Sequence, residues 1–291
     1  MSKAASKTGP GPTVLVAIEQ FFPKSQRGIE DKFSYRIIPF GMKLLVSLMR
    51  FSFIRNWMIR ASEKDLPGMW GGMICRKKYI DEKLFRSVHE LEIDTIINLG
   101  AGYDTRIFRL RGLTGVQVFE IDQPEIIRKK KKLLSRILHK IPSNIKLISV
   151  DFDREDVSAK FESSGFSFGS KFFYIMEAVT QYLTEGGIHK TFEFLSEAPS
   201  ESQLVFTYIR RDFLEGEAMY DWEKGYQKYV AKGKVWLFGL NPEEWPSFLK
   251  QYGWDVLEDL SYEELSAQYI NPTGRDLSST PVERILLATK C

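Results

Sequence analysis

The chain has 291 residues, room for one large α/β domain or two small ones. It is 43% hydrophobic and 27% charged, which excludes a collagen-like, low-complexity or membrane-embedded composition. A net charge of +3 is too small to imply nucleic acid as a partner, and the two cysteines, Cys75 and Cys291, make neither a disulfide framework nor a metal-binding spacing.

Residues 1–12 are polar and end in Gly9-Pro10-Gly11-Pro12, the composition of a disordered leader without the apolar core of a signal peptide. A reducing, cytoplasmic setting is therefore expected. Residues 13–90 read as an N-terminal helical cap. The most hydrophobic window runs from Phe40 to Ile59. Lys43, Arg50 and Arg55 interrupt it, which argues against a transmembrane span. Its apolar residues are spread all round, so it is read as a helix buried over an active site. A basic amphipathic helix on a membrane surface is the lesser reading, and membrane contact is not expected. Leu66-Pro67-Gly68 breaks the helical pattern, and Trp70-Gly71-Gly72 reads as a flexible link. A further helix follows, with Ile80, Leu84, Phe85 and Val88 on one face.

Ile96 to Leu99 is a short apolar strand that turns through Gly100 and Gly102 into a helical pattern. Strand, glycine turn and helix make the first unit of a nucleotide-binding α/β fold. A dinucleotide fingerprint wants Gly at its first, third and sixth positions. The sixth here is Thr105, preceded by Asp104, so a pyrophosphate would face a carboxylate. A cationic ligand is better matched. S-adenosylmethionine (SAM), with its sulfonium and ammonium, is one.

Val116 to Ile121 is a second strand ending in Glu120-Ile121-Asp122, about twenty residues beyond the glycine turn. An acid at that tip accepts from ribose hydroxyls. Pro124 opens a helix whose run Arg128-Lys129-Lys130-Lys131-Lys132 reads as a solvated face. Lys146 to Val150 is a third strand, followed by Asp151-Phe152-Asp153. Asp151 and Phe152 are candidates to hold an adenine; a helix N-cap by Asp151 or Asp153 is compatible with that role. Lys171 to Met176, nearly all apolar, is a central strand with Glu177 at its carboxyl end, where ligands of such sheets bind. Gln203 to Ile209 is a fifth strand. Residues 210–245, rich in aromatic and charged side chains, interrupt the alternation and form a candidate substrate lid. Trp254 to Leu257 and Arg284 to Thr289 are read as a terminal antiparallel pair. His89, His139 and His189 follow no ligand pattern, and no metal is expected.

Five segments together resemble the leucine carboxyl methyltransferase family, and its microbial branch of O-methyltransferases of polyketide-type metabolism. They are Arg76-Lys77-Lys78-Tyr79-Ile80-Asp81, Asn98-Leu99-Gly100-Ala101-Gly102-Tyr103-Asp104-Thr105-Arg106, Phe119-Glu120-Ile121-Asp122-Gln123-Pro124, Val150-Asp151-Phe152 and Met176-Glu177-Ala178-Val179-Thr180-Gln181-Tyr182-Leu183. The resemblance covers about residues 70–290. It implies a class I SAM-dependent methyltransferase: a Rossmann-like seven-stranded sheet with an antiparallel last strand, occupying residues 91–291. By position, Arg76 would clamp the methionyl carboxylate, and Gly100 and Gly102 would floor the cofactor. Asp122 with Glu120 would hold the ribose, Asp151 and Phe152 the adenine, and Glu177 the methionyl ammonium. Lys32 is the nearest match to an N-terminal lysine that contacts cofactor in the family.

The implied reaction is methyl transfer to an oxygen of a small-molecule acceptor. A carboxylate acceptor is preferred, since it is ionised at neutral pH and needs only a clamp, for which Arg210, Arg211 and Tyr182 are candidates. A hydroxyl acceptor, or a protein C-terminal carboxylate, is the alternative. A nicotinamide dehydrogenase is disfavoured by Asp104 and Thr105. A non-catalytic cofactor-binding protein is the remaining reading, and the oligomeric state is open.

Overall fold

The computed structural model describes residues 10–113, 115–152, 154–164 and 171–291. Most of the expected leader, residues 1–9, and the alternative N-cap Asp153 lie outside them. Gly11 and Pro12, assigned to the leader from sequence, instead open the first helix, α1 (Gly11–Glu19). A proline in the first turn loses no hydrogen bond there, since that N–H has no helical partner. The cap continues with α2 (Ser34–Ile37), α3 (Phe40–Leu48), α4 (Ser52–Asp65) and α5 (Met69–Glu90).

The Trp70-Gly71-Gly72 link expected from sequence is the first turn of α5. The two glycines are there for space. A Cβ on Gly72 would meet the Tyr262 ring at 2.7 Å, and one on Gly71 would overlap the Ser278 carbonyl. Close packing against the C-terminal segment outweighs the low helix propensity of glycine.

Seven strands follow: β1 (Thr95–Leu99), β2 (Gln117–Asp122), β3 (Ile145–Ser149), β4 (Phe172–Met176), β5 (Gln203–Ile209), β6 (Trp254–Ser261) and β7 (Glu283–Lys290). They form one sheet in the order β3-β2-β1-β4-β5-β7-β6. β1 to β5 are parallel, and β7 runs antiparallel to both β5 and β6. The order reverses between β1 and its neighbours β2 and β4, so the crevice at their carboxyl ends is the natural binding place. The intervening helices are α6 (Arg106–Arg109), α7 (Pro124–Leu138), α8 (Val157–Glu162), α9 (Glu185–Ser196), α10 (Arg211–Glu215), α11 (Glu223–Tyr226), α12 (Trp245–Lys250) and α13 (Tyr262–Tyr269).

Period-two alternation feeds two cores, one on each face. Ile97, Leu99, Tyr174 and Phe206 pack with Phe192 and Leu195 of α9 and Trp245 of α12. Ile96, Phe173, Ile175 and Val205 pack with Tyr79 and Leu84 of α5 and Leu265 of α13. The interruption after β5 is largely aromatic. Phe213 and Trp222 are buried there, and the Tyr229 and Trp236 rings stack at 4.4 Å. The Trp222 Nε1–H donates to the Pro67 carbonyl at 2.6 Å, tying this segment to the cap.

Candidate active site

A cavity of about 520 Å³ opens at the carboxyl ends of β1, β2 and β4, a volume usual for small-ligand sites. Its floor is the β1 turn. Gly100 N–H and Ala101 N–H donate to the Ile121 carbonyl at 2.7 and 3.1 Å, pinning the turn to β2. Gly100 has φ +70°, and a Cβ there would overlap Val179 of the β4 turn. The glycine is therefore required by both backbone conformation and close approach. The Gly102 N–H donates at 2.6 Å to Oδ2 of Asp122, whose Oδ1 accepts the Gln123 N–H at 2.6 Å. Burial raises the Asp122 pKa, while these two hydrogen bonds oppose the rise. Each carboxylate oxygen keeps a second acceptor position for a ribose hydroxyl.

The wall beside the floor is a buried ion cluster. Arg76 Nε donates to Glu177 Oε1 at 3.0 Å, and its Nη1 to Glu283 at 3.0 and 3.1 Å. Lys77 Nζ and Arg106 Nη2 reach Glu177 at 2.9 and 3.0 Å. Arg106 also pairs with Asp104 and, at 2.6 Å, with Asp81. Burial alone would raise Glu177, but the fields of Lys77, Arg76 and Arg106 override it and hold the carboxyl at about 2. Burial would likewise raise Asp104, and Arg106 and Lys77 hold it well below the usual carboxylate range.

The remaining walls come from the N-terminal cap and from the segments after β4 and β5. α1 contributes Thr13, Val14 and Leu15, and α3 contributes Met42. Thr13 Oγ1 donates to the Tyr103 carbonyl at 3.0 Å, fixing α1 to the glycine turn. Met69, Trp222, Tyr229 and Trp236 line the side under the aromatic segment, together with Gln181 and Tyr182.

Of the residues singled out from sequence, Arg76, Gly100, Gly102, Asp122, Glu177 and Tyr182 line this one cavity. Glu177, read as the ammonium partner, is already engaged by three protein cations. Glu120 is directed elsewhere. It is fully buried beneath α7 and pairs with Lys130 at 2.8 Å; burial lifts its pKa to about 7 against the pull of that lysine. The Phe152 ring is fully buried in the core beside Val157 and Phe161, away from the cavity lining. Asp151 also stands outside the lining; its N–H donates to Glu155 at 2.9 Å. Lys32 is exposed and outside the lining. Arg210 grips Asp212 at 2.6 Å through Nη2 and stacks over Tyr220, again outside. Arg211 is held by Glu244 at 2.5 Å.

Residues not singled out as site members fill the gaps. Lys77, Asp104 and Arg106 sit inside the quoted motifs, so their signal was present as charge next to the glycine turn. Gln181 likewise sits inside a quoted motif, whereas Glu283 and the α1 residues carry no local signal; they arrive through sheet order and the fold of the cap. The fit of these groups to SAM rests on two features. Gly100 lets the β1 turn lie close against Val179 at the edge of the cavity, and Asp122 offers carboxylate acceptors there to hydroxyl donors.

Comparison with known proteins agrees with this geometry. The profile described as leucine carboxyl methyltransferase matches residues 11–196. A Rhodococcus jostii (strain RHA1) protein provisionally named an S-adenosyl-L-methionine-dependent methyltransferase is 29% identical over 230 residues, covering 76% of this chain and 74% of its own. A similarly named protein of Mycobacterium avium (strain 104) is 24% identical over 222 residues, covering 76% and 71%. Among solved structures, a DUF574 family protein of Streptomyces avermitilis shares the fold with a TM-score of 0.59 at 13% identity, covering 80% of this chain and 88% of that one. A protein of Thermobifida fusca, provisionally named a methyltransferase, does so with a TM-score of 0.53 at 14% identity, covering 81% and 87%.

Proposed function

This chain belongs to the leucine carboxyl methyltransferase family of SAM-dependent methyltransferases, and from that premise we propose that it methylates an oxygen of a largely apolar small molecule. The observation that carries the reading is the mixed lining of a single cavity. The glycine turn, Asp122 and the Arg76–Lys77 pair line it together with Gln181, Tyr182, Trp222 and Trp236.

When bound, SAM would supply a methyl carbon activated by its sulfonium; the acceptor oxygen would form the new C–O bond as the C–S bond breaks with its electron pair returning to sulfur, and a hydroxyl acceptor would release its proton to solvent. The protein's own work is alignment and exclusion of water. In this proposal Arg76 and Lys77 hold the methionyl carboxylate, Asp122 accepts from the ribose, and the aromatic segment sandwiches the acceptor.

The acceptor oxygen is the finer question. The carboxylate expected from sequence relied on a clamp, and Arg210 and Arg211 are spent on Asp212 and Glu244. Gln181 is 2% exposed, lines the cavity, and its carboxamide oxygen has no hydrogen-bond partner among the described residues. A buried acceptor of this kind is costly unless a ligand donates to it. A hydroxyl donates to it; a carboxylate would set oxygen against oxygen. The favoured acceptor is therefore a hydroxyl compound, with a carboxylate held by Tyr182 as the second reading. Mass spectrometry after incubation with SAM and a pool of phenols, alcohols and carboxylic acids tests both. An alkali-stable ether supports the first, an alkali-labile ester the second, and no methylated product under conditions of measured SAM binding would overturn O-methylation.

A further inference from the structure

The stretch from Phe40 to Ile59 is not buried over the site. α3 buries only Val46, and α4 buries only Arg55 and Ile59. Phe40 is 89% exposed, Leu44 and Phe53 are each 72% exposed, and Trp57 is 71% exposed. Phe40 and Leu44 are four apart on α3, and Phe53 and Trp57 four apart on α4, so each pair shares a helix face. The corner between them is also apolar, with the Phe51 and Phe53 rings 6.2 Å apart and Arg50 stacked 4.8 Å above Phe51. Exposed aliphatic and aromatic clusters of this kind mark sites of interaction.

Charge decides what it meets. Residues 32–62 contain Lys32, Arg36, Lys43, Arg50, Arg55 and Arg60 and no Asp or Glu. No ion pair to a carboxylate is found for Lys43, Arg50 or Arg60 among the described residues. A second copy packed on this face by two-fold symmetry would set these cations against their own images. An anionic bilayer offers both the apolar depth and the opposite charge. Apolar Trp, Phe and Leu beside Lys and Arg are what an interfacial helix uses to lie in the headgroup plane. No helix of the described residues is long and apolar enough to cross a membrane, so this is contact with one leaflet.

We propose that the α3–α4 face seats this protein on an anionic lipid surface. The proposal does not rest on the methyl-transfer reading, but it bears on it. Met42 of α3 lines the cavity, so a docked protein has that wall of its site at the bilayer surface.

The test is flotation of the full-length protein with vesicles of phosphatidylcholine alone and of phosphatidylcholine mixed with phosphatidylglycerol, at low and high salt. Binding is expected to the mixed vesicles and to fall with salt. Arg50→Gln with Arg60→Gln should weaken it by roughly 25-fold, at about fivefold for each cation near the surface. Phe53→Ser with Trp57→Ser should weaken it at least as much. The melting temperature and SAM affinity of these variants should match the wild type, since the side chains removed are exposed and outside the cavity lining. Absence of flotation with the anionic vesicles would overturn the proposal, as would equal flotation with phosphatidylcholine alone. So would sedimentation showing a lipid-independent dimer that the same variants dissociate, which would give the face to a second copy.

Discussion

The Asp122 carboxylate closes the glycine turn, accepting the Gly102 N–H at 2.6 Å across the gap between β1 and β2. One side chain thus ties the β1 turn to the tip of β2, the two groups the proposed reading gives to the cofactor floor and the ribose. Asp122→Ala should remove a charge-assisted acceptor worth about 1.5–3 kcal/mol, a loss of roughly tenfold or more in SAM affinity by calorimetry. Circular dichroism should still report a folded chain. Wild-type affinity in this variant would take Asp122 out of the site.

Gly100→Val meets two obstacles, a φ of +70° and overlap with Val179. Both lie at the floor of the cavity and not in the sheet interior. The expected result is a folded protein that no longer binds SAM measurably. Retained binding would mean that the β1 turn is not the floor.

Gln181 and Arg210 separate the acceptor readings. Gln181→Leu keeps the side chain's approximate volume and removes its hydrogen-bonding end. Turnover of a hydroxyl acceptor should fall by about tenfold or more, with SAM affinity little changed. Arg210→Ala should leave kcat/KM within about twofold, because that guanidinium serves Asp212. A large loss of turnover in Arg210→Ala, with SAM affinity intact, would return it to the site as a carboxylate clamp.

The buried ion cluster predicts a specific acid response. The folded pKa of Glu177 is depressed from 4.5 to about 2. A depressed carboxylate adds stability that is complete above the unfolded value and is lost as pH falls toward the folded one. Wild type should therefore be more stable than Glu177→Gln near neutrality. The gap, on the order of 3 kcal/mol by this shift, should narrow as pH falls from about 5 to about 3. Urea unfolding at each pH measures it; a constant gap would show that the cluster does not set the carboxyl's charge.

The strands and the turn were legible because burial and period-two patterning are local. The antiparallel β6–β7 pair was also legible from its spacing. The misplacements share a physical cause. Glu120 and Asp122 share one face of β2, but Glu120 lies two residues deeper, where α7 covers it and Lys130 meets it. Phe152 follows a strand end in sequence, yet its ring turns into the core. Arg210 has Asp212 two residues on, a partner that sequence spacing allows but does not impose. Residues 40–59 were read as buried from hydrophobicity alone, and only the packing of α3 and α4 reveals how little of that surface is covered.

The cavity lining comes from separate parts of the chain. On the proposed reading the cofactor meets Arg76, Gly100 and Asp122, whereas the acceptor meets lining residues drawn from α1, Met42 and the aromatic segment that contains Trp222 and Trp236. On that reading, substrate range would drift, or be engineered, by exchanging terminal and inserted segments while the residues assigned to the methyl donor stay constant. Chimaeras that swap residues 11–48 and 210–240 between relatives would transplant acceptor preference onto an unchanged sheet.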